Sequence, residues 1–224
     1  MSTPKKRQPP VESVKSAAAA SRQTILDTAA RLFREEGYAA TSLRAIAQAC
    51  DMKAGSLYYH FESKDQIVSE VLSIGVQRVF DAVKSSVEAL PPSSDLTTTL
   101  HSAVLAHLGA LLHAHDFTSA NIRIFGQVPD DVRAGHKALR KKYEQYWQDL
   151  LIGLQQRGEI RSGIDLQRTV FFLFGAMNWT TEWYDQKKSG LSAMASELTD
   201  LVTSGLKALP PSAATGSKAK QGKP

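Results

Sequence analysis

Between residues 21 and 207 apolar positions recur every three to four residues and almost nowhere alternate, which predicts helices and no strands. Ile25, Leu26, Ala29, Leu32 and Phe33 share one helical face behind a cap at Ser21, and Gly37 follows as the stop. Thr41 or Ser42 caps a short second helix through Ala49 with Leu43, Ile46 and Ala47 inward, and a third covers Ala54 to His60. Ser63 caps a long helix over Lys64–Glu88 that the Pro91, Pro92 pair ends. Further helices are predicted at Asp95–His113, Phe117–Phe125, Pro129–Arg157, Leu166–Tyr184 and Leu191–Ala208. The expected fold is all-α, with a helix-turn-helix head over 21–66 and a helical body over 67–207. Tails at 1–20 and 208–224, rich in Lys, Pro, Ser and Ala, bury too little apolar surface to offset their ordering entropy and are expected to be disordered.

A chain of 224 residues, 42% hydrophobic, can bury a sizeable core. No run approaches the roughly 18 apolar residues of a membrane span, and Met1–Pro10 lacks the apolar centre of a secretory signal, so the reading is cytoplasmic and without membrane contact. The lone Cys50 rules out an internal disulfide and has no companions for a metal site; it reads as a small buried hydrophobe. The net charge of +5 is unevenly spread: residues 1–64 hold ten Lys/Arg against six Asp/Glu, residues 65–206 thirteen against sixteen, and residues 207–224 four against none. A basic N-terminal portion suits a phosphate backbone, whose counterions it would release.

Residues 41–65, TSLRAIAQACDMKAGSLYYHFESKD, read as two short helices around a tight turn followed by an aromatic cluster. In a helix-turn-helix the second helix enters the major groove of double-stranded DNA, so its leading end must be small or polar. Lys53, Ala54, Gly55 and Ser56 meet that demand, while Leu57 and Phe61, four apart, anchor the helix from behind. Thr41, Ser42, Tyr58, His60 and Lys64 are candidate phosphate contacts, with Tyr59 also reaching outward. Arg44 and Lys53 are candidates for base contact, because their donors match guanine O6 and N7, and Ser56 is a further one. Each also has a structural reading: Thr41 and Ser42 as caps, Tyr58 and Tyr59 as packing residues, His60 as a partner for a carbonyl.

ILDTAARLFREEGYAATSLRAIAQAC followed by GSLYYHFESKDQIV resembles the DNA-binding head of the TetR family of bacterial transcriptional repressors. Asp51 stands where that family commonly has Gly, and Lys53 where a capping Ser or Thr is frequent. The resemblance covers under a quarter of the chain and implies the rest: a helical body that forms a homodimer and holds a small-molecule inducer, with no further cofactor.

TVFFLFGAM (169–177) is apolar nearly all round and so must be covered on two sides. With the resemblance, this makes Phe171 together with Leu191, Met194, Leu198, Leu201 and Val202 the expected dimer interface. Arg123, Phe125, Tyr143, Trp147, Phe174, Asn178, Trp179 and Trp183 are the candidate ligand residues, each of the aromatics being equally a core candidate. The stretch AMNWTTEWYD (176–185) resembles the equivalent helix of TetR-family regulators of fatty-acid or steroid degradation, which implies an acyl-CoA thioester whose phosphates Arg123, Arg140, Lys141 or Arg157 would meet. A constitutive DNA-binding protein without a ligand is the alternative. An enzyme finds no support: Glu35/Glu36 and His113/His115 do not share a helical face, and GxSxG, HExxH and a phosphate-binding Gly-rich loop are absent.

Overall fold

The structure, a computed structural model, describes residues 11–112, 116–185 and 187–207. These form nine helices: α1 (Val11–Glu36), α2 (Leu43–Ala49), α3 (Ala54–His60), α4 (Lys64–Glu88), α5 (Leu96–Leu112), α6 (Asp116–Ile124), α7 (Asp130–Gln156), α8 (Leu166–Trp183) and α9 (Leu191–Leu206). No strand occurs among the described residues, only an isolated bridge between Ile160 and Lys207. The expected tail at 208–224, residues 1–10, and the pair His113 and His115 lie outside the described residues.

Most helix ends agree with the sequence reading to within two residues, because their caps are local chemistry. Ser42 and Ser63 each accept a backbone N–H from three residues on, at 3.1 Å from Ala45 and 3.1 Å from Gln66. The start of α1 is the exception. It begins at Val11, ten residues before the cap expected at Ser21, so residues 11–20 are helical rather than part of a tail. The run Ala17–Ala20 has the highest helix propensity of any residue type, and no Gly or Pro interrupts the sequence from Val11 to Gly37.

Gly37 ends α1 in the left-handed conformation, φ 86°, with its N–H donating to the Phe33 carbonyl at 3.0 Å.

Two apolar cores stand one behind the other. The first gathers Ile25, Ala29 and Phe33 of α1, Ile46 of α2, Leu57 and Phe61 of α3, and Ile67, Val68, Val71 and Leu72 of α4. It also takes Phe117, Ala120 and Ile124 from α6 and Val128 and Val132 beyond it, so part of the body completes the head. The second core holds Val79 and Val83 from the far half of α4 with residues of α5, α7, α8 and α9 around Trp147.

Helix α6 joins the two. Its first residue, Asp116, pairs with Arg34 of α1 at 3.1 Å. Just past its end, Gln127 accepts the Tyr38 N–H at 2.9 Å and donates to the Arg123 carbonyl at 3.0 Å. Where α6 crosses α4, Gly75 is required by proximity: a Cβ there would stand 2.5 Å from the Phe117 carbonyl oxygen.

Candidate nucleic-acid interface and ligand cavity

The turn between α2 and α3 is a Schellman closure. Asp51 N–H donates to the Gln48 carbonyl at 3.1 Å and Met52 N–H to the Ala47 carbonyl at 2.9 Å. Asp51 takes the left-handed position with φ 54°, so the turn forms without the glycine usual there; Asp tolerates this region better than most residues. Cys50 caps α2 half-buried against the first core.

Leu57 and Phe61 are buried and hold α3 to that core from one side, as their spacing predicts. On the other side Lys53, Ala54, Gly55, Ser56, Tyr58 and Tyr59 are all exposed, Tyr59 by 81%, and His60 packs edge-on against Tyr59. Arg44 on α2 is exposed too, and neither it nor Lys53, Tyr58 or Tyr59 spends its side chain on a hydrogen bond or ion pair among the described residues. Cationic, phenolic and hydroxyl groups left free on one protruding helix pair can meet phosphates and base edges at once. Ser42 keeps its hydroxyl hydrogen available, since its oxygen serves the cap as acceptor.

Two expected phosphate contacts are corrected. Thr41 is fully buried and its hydroxyl donates to the Gly37 carbonyl at 2.8 Å, so it fastens the α1–α2 loop instead of facing outward. Lys64 turns back along the first turn of α4: its ammonium donates to the Tyr38 carbonyl and sits 3.8 Å from the centre of the Tyr38 ring. Burial lowers the Lys64 pKa, with Asp65 opposing. Tyr38 in turn donates to Asp65 at 2.8 Å, and burial together with that carboxylate pushes its pKa up to about 12.

In the body a small cavity of about 40 Å³, open at a mouth to solvent, lies among five helices. Gly75, Val76 and Val79 of α4, Ile122 of α6 and Phe174 of α8 give it apolar walls. Its polar lining is ordered by a chain of hydrogen bonds. Burial keeps His107 neutral, its pKa pushed down to about 4, so one ring nitrogen donates and the other accepts. The acceptor on its Nε2 side is Asn178 Oδ1 at 3.2 Å, which assigns the proton to Nε2 and leaves Nδ1 to accept from the Tyr143 phenol at 2.8 Å. Burial raises the Tyr143 pKa and holds that phenol protonated. Asn121 is likewise used up, donating to the Leu72 carbonyl at 2.8 Å and accepting from Arg140 at 3.0 Å. The Arg140 guanidinium lies 4.0 Å over the Phe125 ring and is depressed in pKa by burial, with Glu144, one turn on, opposing.

Of the expected ligand residues, Tyr143, Phe174 and Asn178 line this cavity. Trp147 stands fully buried behind Tyr143 and Phe174 as core. Phe125 belongs to the first core, under Arg140. Arg123 is exposed, because five residues from Thr118 puts it on another face of α6. Trp179 and Trp183, exposed by 66% and 56%, join Phe172, exposed by 70%, and Phe171 in a stripe along the outer face of α8. The inner face went to Val170, Leu173 and Met177 instead. On α9 only Leu201 of the expected interface residues is exposed; Leu191, Leu198 and Val202 are half-buried against the second core, and Met194 is buried within it. The four cations proposed for a CoA group do not converge either: only Arg140 lines the cavity, while Arg157 binds Glu159 at 2.8 Å and the Ser94 carbonyl at 2.7 Å.

His107 and Thr118, both cavity residues, were missed. A histidine on the apolar stripe of α5 was a usable signal, since a buried polar group needs partners. A threonine in a helix carries no such signal, because it ordinarily bonds its own backbone. Among the described residues no group of three His, Cys, Asp or Glu side chains is placed to hold a metal ion, and no helix is long and apolar enough to cross a membrane.

Residues 25–71 match the family described as bacterial regulatory proteins, tetR family, and residues 93–206 match the tetracyclin repressor-like C-terminal domain. The HTH-type transcriptional repressor KstR2 of Rhodococcus jostii (strain RHA1) is 29% identical over 180 residues, 79% of this chain and 85% of that one. The crystal structure of PfmR, a TetR family transcriptional regulator from Thermus thermophilus, is 26% identical and superposes with a TM-score of 0.72, over 84% of this chain and 98% of that one. AibR in complex with isovaleryl coenzyme A and operator DNA shares the fold, with a TM-score of 0.71 at 22% identity over 84% of this chain and 98% of that one. An exposed helix-turn-helix head, a helical body with a cavity inside it, and both halves matched in order place the chain in the TetR family of bacterial transcriptional regulators.

Proposed function

We propose that this TetR-type repressor grips a palindromic operator as a homodimer and lets go when a small, largely apolar ligand, an acyl thioester, fills the cavity of its body. The observation that carries the DNA half is the outer face of α3 with Arg44 beside it: exposed donors without internal partners, backed by a buried Leu57–Phe61 anchor. Ser42, Tyr58, Tyr59 and His60 meet phosphates; Arg44, Lys53 and Ser56 reach base edges, with Ala54 and Gly55 letting the backbone close in.

Dimerisation is supported by the exposed aromatic stripe Phe171, Phe172, Trp179 and Trp183 on α8, with Leu201 exposed on α9, since exposed apolar groups gathered along one helix face mark interaction surfaces. A two-fold axis there would set two heads about 34 Å apart, one DNA turn. The ligand half rests on the cavity and on its place against α6, whose Asp116 and the Gln127 that follows it hold the end of α1 at Arg34 and, just past it, Tyr38. AibR, of the same fold, forms a complex with isovaleryl coenzyme A. An acyl chain would enter along the apolar wall of this cavity by parting the helices around it, and the nucleotide portion of such a ligand would lie outside.

The test is a DNA-shift titration of the fragment upstream of the protein's own gene, with and without acyl-CoA thioesters of graded chain length. Specific binding reversed by a thioester, but not by CoA alone, is expected. Specific binding that no thioester reverses would keep the DNA-binding half, discard the acyl-thioester ligand and favour the alternative of a constitutive DNA-binding protein.

A further inference from the structure

Most polar groups around the cavity are satisfied; Glu144, the one carboxylate of the lining, acts on the Arg140 charge one turn before it, and the groups left open beside that pair are donors. His107 uses both ring nitrogens, Asn121 uses both ends of its carboxamide, and Tyr143 gives its one hydrogen to His107. Asn178 turns its Oδ1 to the His107 ring, so the amino side of that carboxamide is what remains to offer. Arg140 can only donate. Thr118, on α6, is 3% exposed, lines the cavity, and its hydroxyl has no hydrogen-bond partner.

A threonine in a helix normally satisfies itself on a backbone carbonyl, as Thr180 does on Met177 at 2.6 Å and Thr199 on Ala195 at 2.7 Å in this same chain. A buried hydroxyl left without a partner is a standing cost, and here the oxygen is itself buried on a residue of the cavity wall, so an acceptor that enters and reaches it relieves that cost. Amide and guanidinium donors in the same lining favour an oxygen that accepts without bringing a hydrogen of its own. That describes a carbonyl and disfavours a plain hydrocarbon.

We infer that the cavity recognises a carbonyl oxygen on an apolar body, and that the Thr118 hydroxyl, with the amino group of Asn178, is the specificity-determining contact. This rests on reading the cavity as the inducer site. Filling it would place the ligand's polar atom on α6, between Asp116 and Gln127, so the residue that selects the ligand sits on the helix that touches the head.

The matched probes are octanoyl-CoA and its thioether S-octyl-CoA, which lacks only the carbonyl oxygen, titrated against the full-length chain without DNA by calorimetry. The wild type is expected to bind octanoyl-CoA about tenfold or more tighter, as a site left with an unmet polar group discriminates. Thr118→Val should bring the two to within about threefold, Thr118→Ser should keep the preference, and Thr118→Val without ligand should melt no lower than wild type, because it removes an unmet group. Equal binding of the two probes, or of neither, overturns the inference, as does a lower melting temperature for Thr118→Val. Operator release read on the same samples separates it from the wider reading. Release by both probes alike keeps the inducer site and removes the carbonyl contact. A carbonyl preference without release keeps the contact and removes the inducer role.

Discussion

In the head, the side chains without internal partners point to solvent: Arg44, Lys53, Tyr58 and Tyr59 stand on the outside of two short helices. In the body the open groups lie inside: Thr118 has no hydrogen-bond partner, and it lines a hollow among five helices together with Asn178 and Arg140, which have donors to spare beyond their bonds to His107 and Asn121. Both regions thus carry polar groups that folding alone does not satisfy, and the side on which they are left open says what each receives. An exposed, cationic, phenolic ridge fits a large partner that arrives from outside and stays hydrated, as a DNA backbone does. A mostly apolar hollow with a few fixed donors fits a small partner that is enclosed.

The contrast would be broken most forcefully at the place where the two regions share material. Phe117→Ala on α6 deletes a buried ring from the first core, although its residue lies in the body, and should cost about 3–5 kcal/mol. Calorimetry should show one transition moved down as a whole; two separated transitions would mean that the head and body melt independently.

Next in size is the pH dependence of the body. His107 titrates near 4 when folded against 6.5 unfolded, so the unfolded chain binds the extra proton first. The stability its neutral form provides is complete above about pH 6.5 and is lost as pH falls toward about 4, on the order of 3 kcal/mol. Denaturant midpoints measured from pH 7 to 4 should fall for the wild type and fall less for His107→Gln.

A smaller effect is expected at the DNA surface. Arg44→Ala should leave folding unchanged and relax preference at one base pair by about 1–3 kcal/mol, read by competition among operator variants. Unchanged preference would move Arg44 to the phosphate set. Smallest of all, Asp51→Gly should raise stability by about 1 kcal/mol at most, because it relieves a side chain held at positive φ. A lower melting temperature would show that the Asp51 side chain itself supports the turn.

The difference between the regions also decided how much could be read beforehand. The head's chemistry is consecutive: cap, helix, turn, anchor and outward face all fall within 41–65, and helical spacing alone put Leu57 and Phe61 inside and Tyr59 outside. Its two errors, Thr41 and Lys64, came from contacts to Gly37 and Tyr38 that lie in the preceding loop. The cavity draws its lining residues from five helices, so no window of sequence contains it. Tyr143, Phe174 and Asn178 were legible as polar or aromatic residues on apolar helices. Trp179 and Trp183 were misplaced because α8 is apolar on both faces, and periodicity cannot say which face turns inward.

Helix α4 carries one further consequence. Its first half lies in the core with α1, α2 and α3, its second half in the core with α5 and α7, and no loop separates them. A cut at residue 66, where the sequence suggests a boundary, would strip the head of Ile67, Val68, Val71 and Leu72 as well as of Phe117 and Ile124. The DNA-reading portion is therefore not an exchangeable cassette. A chimera that gives this body a new operator has to be made by resurfacing α2 and α3 in place, leaving the scaffold beneath them uncut.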